Sequence, residues 1–330
     1  MITERQIIAI LEGFAVGDAM GMPTEFMTRC QIAEEIGTID ALVESRLSAH
    51  HSDLAKGSVT DDTEQTLCLL SHYLKAGVTI DSTVEGLLAW IDESDAIAKR
   101  YIGPSSLKAL RAIKEGGDPS MSGRDGTTCG GLMRSLAPTL YALAHAMEWA
   151  EMLDLVVICL MPTHYTSQAL EAACAYSSAI ARAVGGGTVT DIIEAARDGG
   201  RYGLLKAPYI ACSASSLARL DFLTEYLKTQ PGEEELLDLL YAVLGTGLES
   251  ADVFAALFAL FLFAPGDTFR SICLAAQVGG DTDTIAALVG GLNRAYRIDS
   301  PIPPSIVDEV YRVNNLRLQP LARSLVEHAR

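Results

Sequence analysis

The sequence predicts an all-α protein, and three observations carry that prediction. Apolar residues make up 49% of the 330-residue chain but aromatics only 6%, so Ala, Leu and Ile supply most of the core-forming material. Such a composition favours close-packed helices over sheets. Apolar positions recur with helical spacing along the chain, and no window alternates convincingly with period two. Gly and Pro clusters punctuate the helical stretches at Gly116-Gly117-Asp118-Pro119, Gly185-Gly186-Gly187 and Pro301 to Pro304. With no long linker and no repeat of solenoid period, residues 1–330 read as a single domain.

The elements follow in order. Thr3 and Gln6 form a capping pair at the start of a first amphipathic helix carrying Ile7, Ile8, Leu11, Phe14 and Val16. Further helical stretches are expected over Glu64 to Leu74, Val84 to Ile91, Ser105 to Lys114, Glu148 to Leu160 and Ser167 to Val184. Three more are expected over Glu233 to Leu244, Ala251 to Phe263 and Thr284 to Tyr296. The longest apolar stretch, Val253 to Ala264, has 12 residues and is too short to cross a bilayer, so it reads as a buried core helix.

Charge and cysteine usage exclude several classes. A net charge of −17 argues against a nucleic-acid backbone or an anionic membrane as partner. A small anionic ligand stays admissible, because metals or helix N-termini reverse the local sign. The start, MITERQIIAILEGF, carries acids and lacks a basic region before an apolar stretch, unlike a signal peptide. The seven cysteines show no CxxC, and Cys68, Cys159, Cys174 and Cys273 sit inside apolar helical stretches. Such thiols indicate a reducing, cytoplasmic compartment rather than a disulfide framework or a zinc site.

Two acidic motifs stand out: Thr60-Asp61-Asp62-Thr63 and Gly279-Gly280-Asp281-Thr282-Asp283-Thr284. Each follows a glycine-bearing segment and precedes an apolar helix, so each is expected at a helix N-terminus. Asp and Thr are favoured caps there. One cap needs one side chain, however, and each motif supplies two carboxylates and two hydroxyls. Neighbouring helical residues diverge in direction, so Asp61 and Asp62 suit two different cations. Oxygen donors without soft ligands suit hard cations. If the motifs converge, like charges about 4 Å apart repel by roughly 4 kcal/mol per pair at an effective dielectric near 20. Several such pairs require cations or protons.

Other residues are weighed one by one. Glu25, after a glycine-broken turn closing the first helix, reads on its own as an exposed loop acid. Asp18 reads as a buried hydrogen-bonding group inside that helix. His50 and His51 read as solvated loop histidines. Met20, Met22 and Met27 read as core filling. Cys129 reads as a small pocket-lining residue. Arg134 suits either a phosphate or a helix-end ion pair.

These segments, in this order, resemble the ADP-ribosyl-glycohydrolase family. The shared pattern spans nearly the whole chain: Gly17-Asp18-Ala19 with Glu25, Thr60-Asp61-Asp62-Thr63, Ile102-Gly103-Pro104-Ser105-Ser106, Gly130-Gly131-Leu132-Met133-Arg134, Pro162-Thr163-His164, and Gly279 to Thr284. The resemblance implies an all-α orthogonal bundle holding two Mg²⁺ or Mn²⁺ ions. It implies Thr60, Asp61, Asp62, Asp281, Asp283 and Thr284 as metal ligands, with Glu25, Asp62 and Asp283 doing acid–base and electrostatic work. Tyr101, Gly103, Cys129, Gly130, Met133 and His164 would contact a ribosyl substrate. The expected activity is hydrolysis of an N- or O-linked ribosyl bond in an ADP-ribosylated or small-molecule substrate. A nucleoside-like riboside, or a metal-dependent ADP-ribose binder without turnover, are the alternatives. The chain departs from the family pattern at Tyr101, where many members carry Asp, at Cys129-Gly130, where many carry Asn-Gly, and at Asn293-Arg294, where small residues are common.

Overall fold

In a computed structural model of the protein, residues 1–48, 50–97 and 102–329 are described; Tyr101, expected above to contact substrate, lies outside them. Among the described residues the fold is all-α, and the single extended pairing is an isolated bridge between Thr166 and Tyr209. The chain opens with α1 (Glu4–Gly21), α2 (Arg29–Glu35), α3 (Asp61–Ala76), α4 (Ile80–Ser94) and α5 (Pro104–Lys114). It continues through α6 (Pro119–Ser122), α7 (Gly130–Arg134), α8 (Leu136–Ala144), α9 (Trp149–Leu160), α10 (Ser167–Val184) and α11 (Val189–Lys206). The last third holds α12 (Ser216–Tyr226), α13 (Glu233–Leu239), α14 (Ser250–Phe263), α15 (Thr268–Gln277), α16 (Thr282–Tyr296), α17 (Pro304–Asn314) and α18 (Leu318–His328).

Contacts divide the chain into two compact units. One comprises Met1–Ile7, Glu64–Leu217 and Gln319–Arg330. In this unit the expected cap at the start of α1 is present, with Gln6 N–H donating to Thr3 Oγ1 at 3.2 Å and Thr3 N–H to Gln6 Oε1 at 3.0 Å. Its centre is α10, buried along almost its whole length and packed against α9 and α11. Helix α11 was not expected from sequence, since Gly199, Gly200 and Gly203 weaken helix propensity. Tertiary packing overrides that weakness: a Cβ added at Gly199 would lie 2.3 Å from Cys174 O, and one at Gly203 would lie 2.2 Å from Leu170 O. Bare backbone lets α10 and α11 approach, and apolar burial along the seam offsets the lost propensity.

The other unit comprises Ile8–Thr63 and Ala218–Leu318. Helix α14 is apolar on every face and almost wholly buried, as expected of a central core helix. The stretch expected as one helix over Glu233 to Leu244 instead changes at Leu240 into a π-helical turn, Leu240–Leu244, ending at Gly245 with φ +88°. Helices α1 and α16 meet along a bare seam. A Cβ on Gly13 would lie 2.6 Å from Gly290 O, on Gly17 2.1 Å from Ala286 O, and on Gly21 2.3 Å from Thr282 O. Glycines spaced by four fall on one helix face, so α1 rests backbone to backbone on α16. Asn293 and Arg294 close the seam. Asn293 accepts from Gly266 N–H at 2.6 Å and donates to Ser271 Oγ at 3.0 Å, while Arg294 pairs with Glu12 at 2.8 Å.

Helix α1 with the turn after it (Glu4–Thr24) is long and apolar enough to cross a membrane, but 89% of its most apolar stretch is buried, as in a core helix. Cys129, Cys159 and Cys174 are buried, and all seven cysteines are free thiols.

Candidate metal centre

The centre is assembled from α1, the loop after it, and the starts of α3 and α16. Asp18 is fully buried within α1. Its carboxylate accepts hydrogen bonds from Thr60 N–H at 2.9 Å, Thr60 Oγ1 at 2.8 Å, Thr63 N–H at 3.1 Å and Thr63 Oγ1 at 2.6 Å. The N-terminus of α3 is thus capped from another helix, which bears out the structural reading of Asp18. Its consequence is that Asp62 is not consumed as a cap. Asp62 is 1% exposed, and its Oδ1 has no hydrogen-bond partner among the described residues.

The second motif reaches the same place through a tight turn. Gly280, at φ +83°, lies so close to Thr246 that an added Cβ would sit 2.1 Å from Thr246 O. Asp281 N–H donates to Thr246 O at 2.7 Å, and Phe26 N–H donates to Gly280 O at 2.8 Å. The turn is therefore tied both to the end of the π-helical region and to the loop carrying Glu25. Asp283 then projects from the first turn of α16. Thr60 Oγ1 lies 3.3 Å from Asp283 Oδ2 and 3.3 Å from Asp62 Oδ2, and Thr284 Oγ1 lies 3.3 Å from Asp62 Oδ2. The two motifs, about 220 residues apart in sequence, converge.

Two sets of possible ligand atoms share Asp283. Asp18, Asp62 and Asp283 form one; Glu25, His51 and Asp283 form the other, with the atoms of each set within 4.8 Å of one another. Glu25 is 9% exposed, so it is not the exposed loop acid its local sequence suggests. Packing of the Gly280 turn against Phe26 draws it inward. His51 is 4% exposed and hydrogen-bonds Glu25 through Nε2, so the expectation of a solvated histidine is corrected. Its neighbour His50 is exposed. Ser48 Oγ accepts from both backbones, His51 N–H at 3.0 Å and His50 N–H at 3.3 Å, and fixes the turn without separating the two side chains.

Electrostatics follow from this crowding. Burial, then Asp283, pushes the Asp18 carboxyl up to about 7, against the lowering effect of the Thr63 and Thr60 hydrogen bonds. Burial holds Asp62 well above the usual carboxylate range, reinforced by Asp283, Asp18, Asp61 and Asp281. Glu25 is raised by burial, then by Asp283 and Asp18. Burial lowers the His51 imidazole, and the same two aspartates oppose it. A buried carboxylate cluster of this kind needs protons or cations. Its donor set, oxygen atoms and one imidazole with an orphaned oxygen on Asp62, fits a divalent metal ion.

The other sequence-selected residues belong to the first unit. His164 is fully buried, 3.1 Å from Thr128 Oγ1 through Nε2 and 2.8 Å from Thr163 Oγ1 through Nδ1. Burial, then Arg134, holds its pKa well below the usual value. Arg134 is fully buried and donates to Thr163 Oγ1 at 2.6 Å and Ser106 Oγ at 2.7 Å. Cys129 and Met133 are buried, while Gly103 and Gly130 are partly exposed. A cavity of about 160 Å³ lies by Pro104, Ser105, Lys108, Ser122, Asp125 and Thr163.

Fold and centre together define an all-helical protein with a buried acidic site able to hold metal. Comparison with known proteins narrows the class: the ADP-ribosylglycohydrolase family model matches residues 2–330. The uncharacterised Escherichia coli (strain K12) protein YegU is 32% identical over 99% of this chain and 98% of its own. The ADP-ribosyl-[dinitrogen reductase] glycohydrolase of Rhodospirillum rubrum is 29% identical over 44% of this chain and 48% of its own. A solved structure described as an ADP-ribosylglycohydrolase-related protein complex shares the fold, with a TM-score of 0.67 at 23% identity, covering 99% of this chain and 98% of the other. The chain belongs to the ADP-ribosylglycohydrolase family, whose members are metal-dependent glycohydrolases acting on ADP-ribosylated substrates.

Proposed function

We propose that this protein hydrolyses a ribosyl glycosidic bond, N- or O-linked, in an ADP-ribosylated substrate, using two Mg²⁺ or Mn²⁺ ions. The observation that carries this reading is the convergence of Asp62 and Asp283 on Asp18 from two helix starts, with Asp62 Oδ1 left for a ligand. Thr60, Asp61, Asp62, Asp281, Asp283 and Thr284 would hold the ions. Bound divalent ions would orient a ribose diol and lower the pKa of water.

The chain's own residues supply the rest. Glu25 takes a proton from the attacking water at its carboxylate, and His51 keeps that carboxylate oriented. Positive charge developing at the anomeric carbon is stabilised by the surrounding acids, Asp62 and Asp283 foremost. Gly103, Cys129, Gly130, Met133 and Tyr101 contact the substrate. His164, buried and bonded to Thr128, acts as a positioning residue for that region. The family match runs through both compact units, which supports reading residues 1–330 as one family domain. The free cysteines support a cytoplasmic setting.

Calorimetric titration of Mg²⁺ and Mn²⁺ into chelator-stripped protein, followed by ADP-ribose, tests the reading. Metal binding, then metal-dependent ADP-ribose binding and turnover of an ADP-ribosylated substrate, are expected. Absence of metal binding in the wild type would sink it.

A further inference from the structure

We propose that His145 and His328 form a metal site separate from the acidic centre, which takes an ion of the zinc class (Zn²⁺, Ni²⁺ or Cu²⁺) and clasps the C-terminal helix α18 to the end of α8. Both residues belong to the first compact unit, whereas Asp18, Asp62 and Asp283 belong to the other. The inference therefore stands apart from the reading of the acidic centre.

The arrangement is that of two nitrogen donors at one edge of a coordination shell. His145 follows the last residue of α8, and His328 is the last residue of α18. His145 Nε2 lies 3.3 Å from His328 Nδ1. A tetrahedral ion with Zn–N bonds of about 2.0–2.1 Å holds neighbouring nitrogens roughly 3.3 Å apart. The tautomer of His145 is also fixed. Its Nδ1 lies 2.8 Å from Tyr141 O, and a carbonyl only accepts, so Nδ1 carries the proton and Nε2 turns its lone pair toward His328. Metal-ligating histidines use the same outer support from a main-chain carbonyl. The Tyr141 ring stacks on the imidazole, with centroids 4.0 Å and planes 28° apart, and holds its orientation.

The local field favours a cation. Two helices end at this point, and each C-terminus carries partial negative charge. His328 is exposed and His145 half-buried, so water can complete the shell. A proton shared between the rings fills the same gap when no ion is bound. Imidazole donors suit Zn²⁺, Ni²⁺ and Cu²⁺, whereas Mg²⁺ takes oxygen ligands. Saturating Mg²⁺ thus leaves the histidine pair open.

The test is calorimetric titration of Zn²⁺ into the full chain held in saturating Mg²⁺, for the wild type, His145→Gln, His328→Gln and Asp283→Ala. Each histidine variant should bind Zn²⁺ at least about tenfold more weakly, and Asp283→Ala should keep the wild-type affinity. Zn²⁺ should raise the melting temperature of the wild type but of neither histidine variant, since an ion held only by the folded state stabilises it. In wild-type protein with ¹⁵N-labelled histidines, Zn²⁺ should shift the ring signals of His145 and His328 and leave the buried His164 in place, a readout that needs no variant. A wild type that binds no Zn²⁺, or histidine variants that bind it equally well, would overturn the proposal and leave the pair a plain hydrogen bond. Zn²⁺ binding lost in Asp283→Ala but kept in the histidine variants would overturn it too, by placing the ion in the acidic centre alone.

Discussion

The molecule contains two buried polar clusters that look alike in sequence and differ in physics. In the Asp18–Asp62–Asp283 cluster, like charges converge and one buried oxygen lacks a partner. In the Arg134–His164 cluster, a cation is spread over the hydroxyls of Ser106 and Thr163, and the imidazole is bonded through both nitrogens. The first is built to gain a cation. The second is internally supported and stiffens the segment carrying Cys129, Gly130 and Met133. Motif recognition flagged both; only charge accounting separates them.

The largest expected effect comes from removing the shared carboxylate. Asp283→Ala should weaken divalent-ion binding by about a hundredfold or more, read by calorimetry, since both ligand sets lose a member. Next is the helix seam. Gly17→Ala places a Cβ against Ala286 O and should cost about 1–3 kcal/mol in denaturant unfolding. Because the seam sets the spacing of Asp18 and Asp283, metal affinity should fall with it. Unchanged metal affinity in a destabilised Gly17→Ala would show that the seam does not position the site. Arg134→Met should act oppositely: about 1–3 kcal/mol lost, from buried hydroxyls left without their donor, and metal affinity unaltered. A joint loss would erase the contrast between the clusters.

The smallest effect is a pH trend. Carboxyls raised above their unfolded values bind more protons in the folded state, so stability falls as pH rises through that interval. For Asp18 the window runs from about 4, the unfolded value, to about 7, and Asp62 and Glu25, also raised, act in the same sense. Chelator-treated protein should lose stability across this range, and added Mg²⁺ should restore it at the alkaline end. A metal-free melting temperature that rises over the window would contradict the assignment of raised carboxyls.

Helical class, the place of both acidic motifs at helix starts, the burial of Met20, Met22 and Met27, and the structural role of Asp18 were legible from residue type and spacing. Convergence of the motifs was not, because about 220 residues separate them and loop closure leaves no mark on composition. One clue was available: Gly13, Gly17 and Gly21 recur every fourth residue, facing Ala286 and Gly290 with the same interval. That pattern points to two helices in backbone contact. Helix α11 was hidden by its interior glycines, the π-helical turn by an unbroken apolar pattern, and His51 by an exposed twin at His50. Burial of Glu25 depends on the Gly280 turn, a partner remote in sequence.

The cap that Asp18 supplies to α3 bears on any attempt to transplant this chemistry. Thr60-Asp61-Asp62-Thr63 grafted alone onto a foreign helix would fold inward on itself, its acids recruited by the bare amides of the first turn. A portable version must carry a carboxylate on a neighbouring helix to occupy those amides. The smallest heritable module is thus a helix crossing with two helix starts, not a four-residue motif.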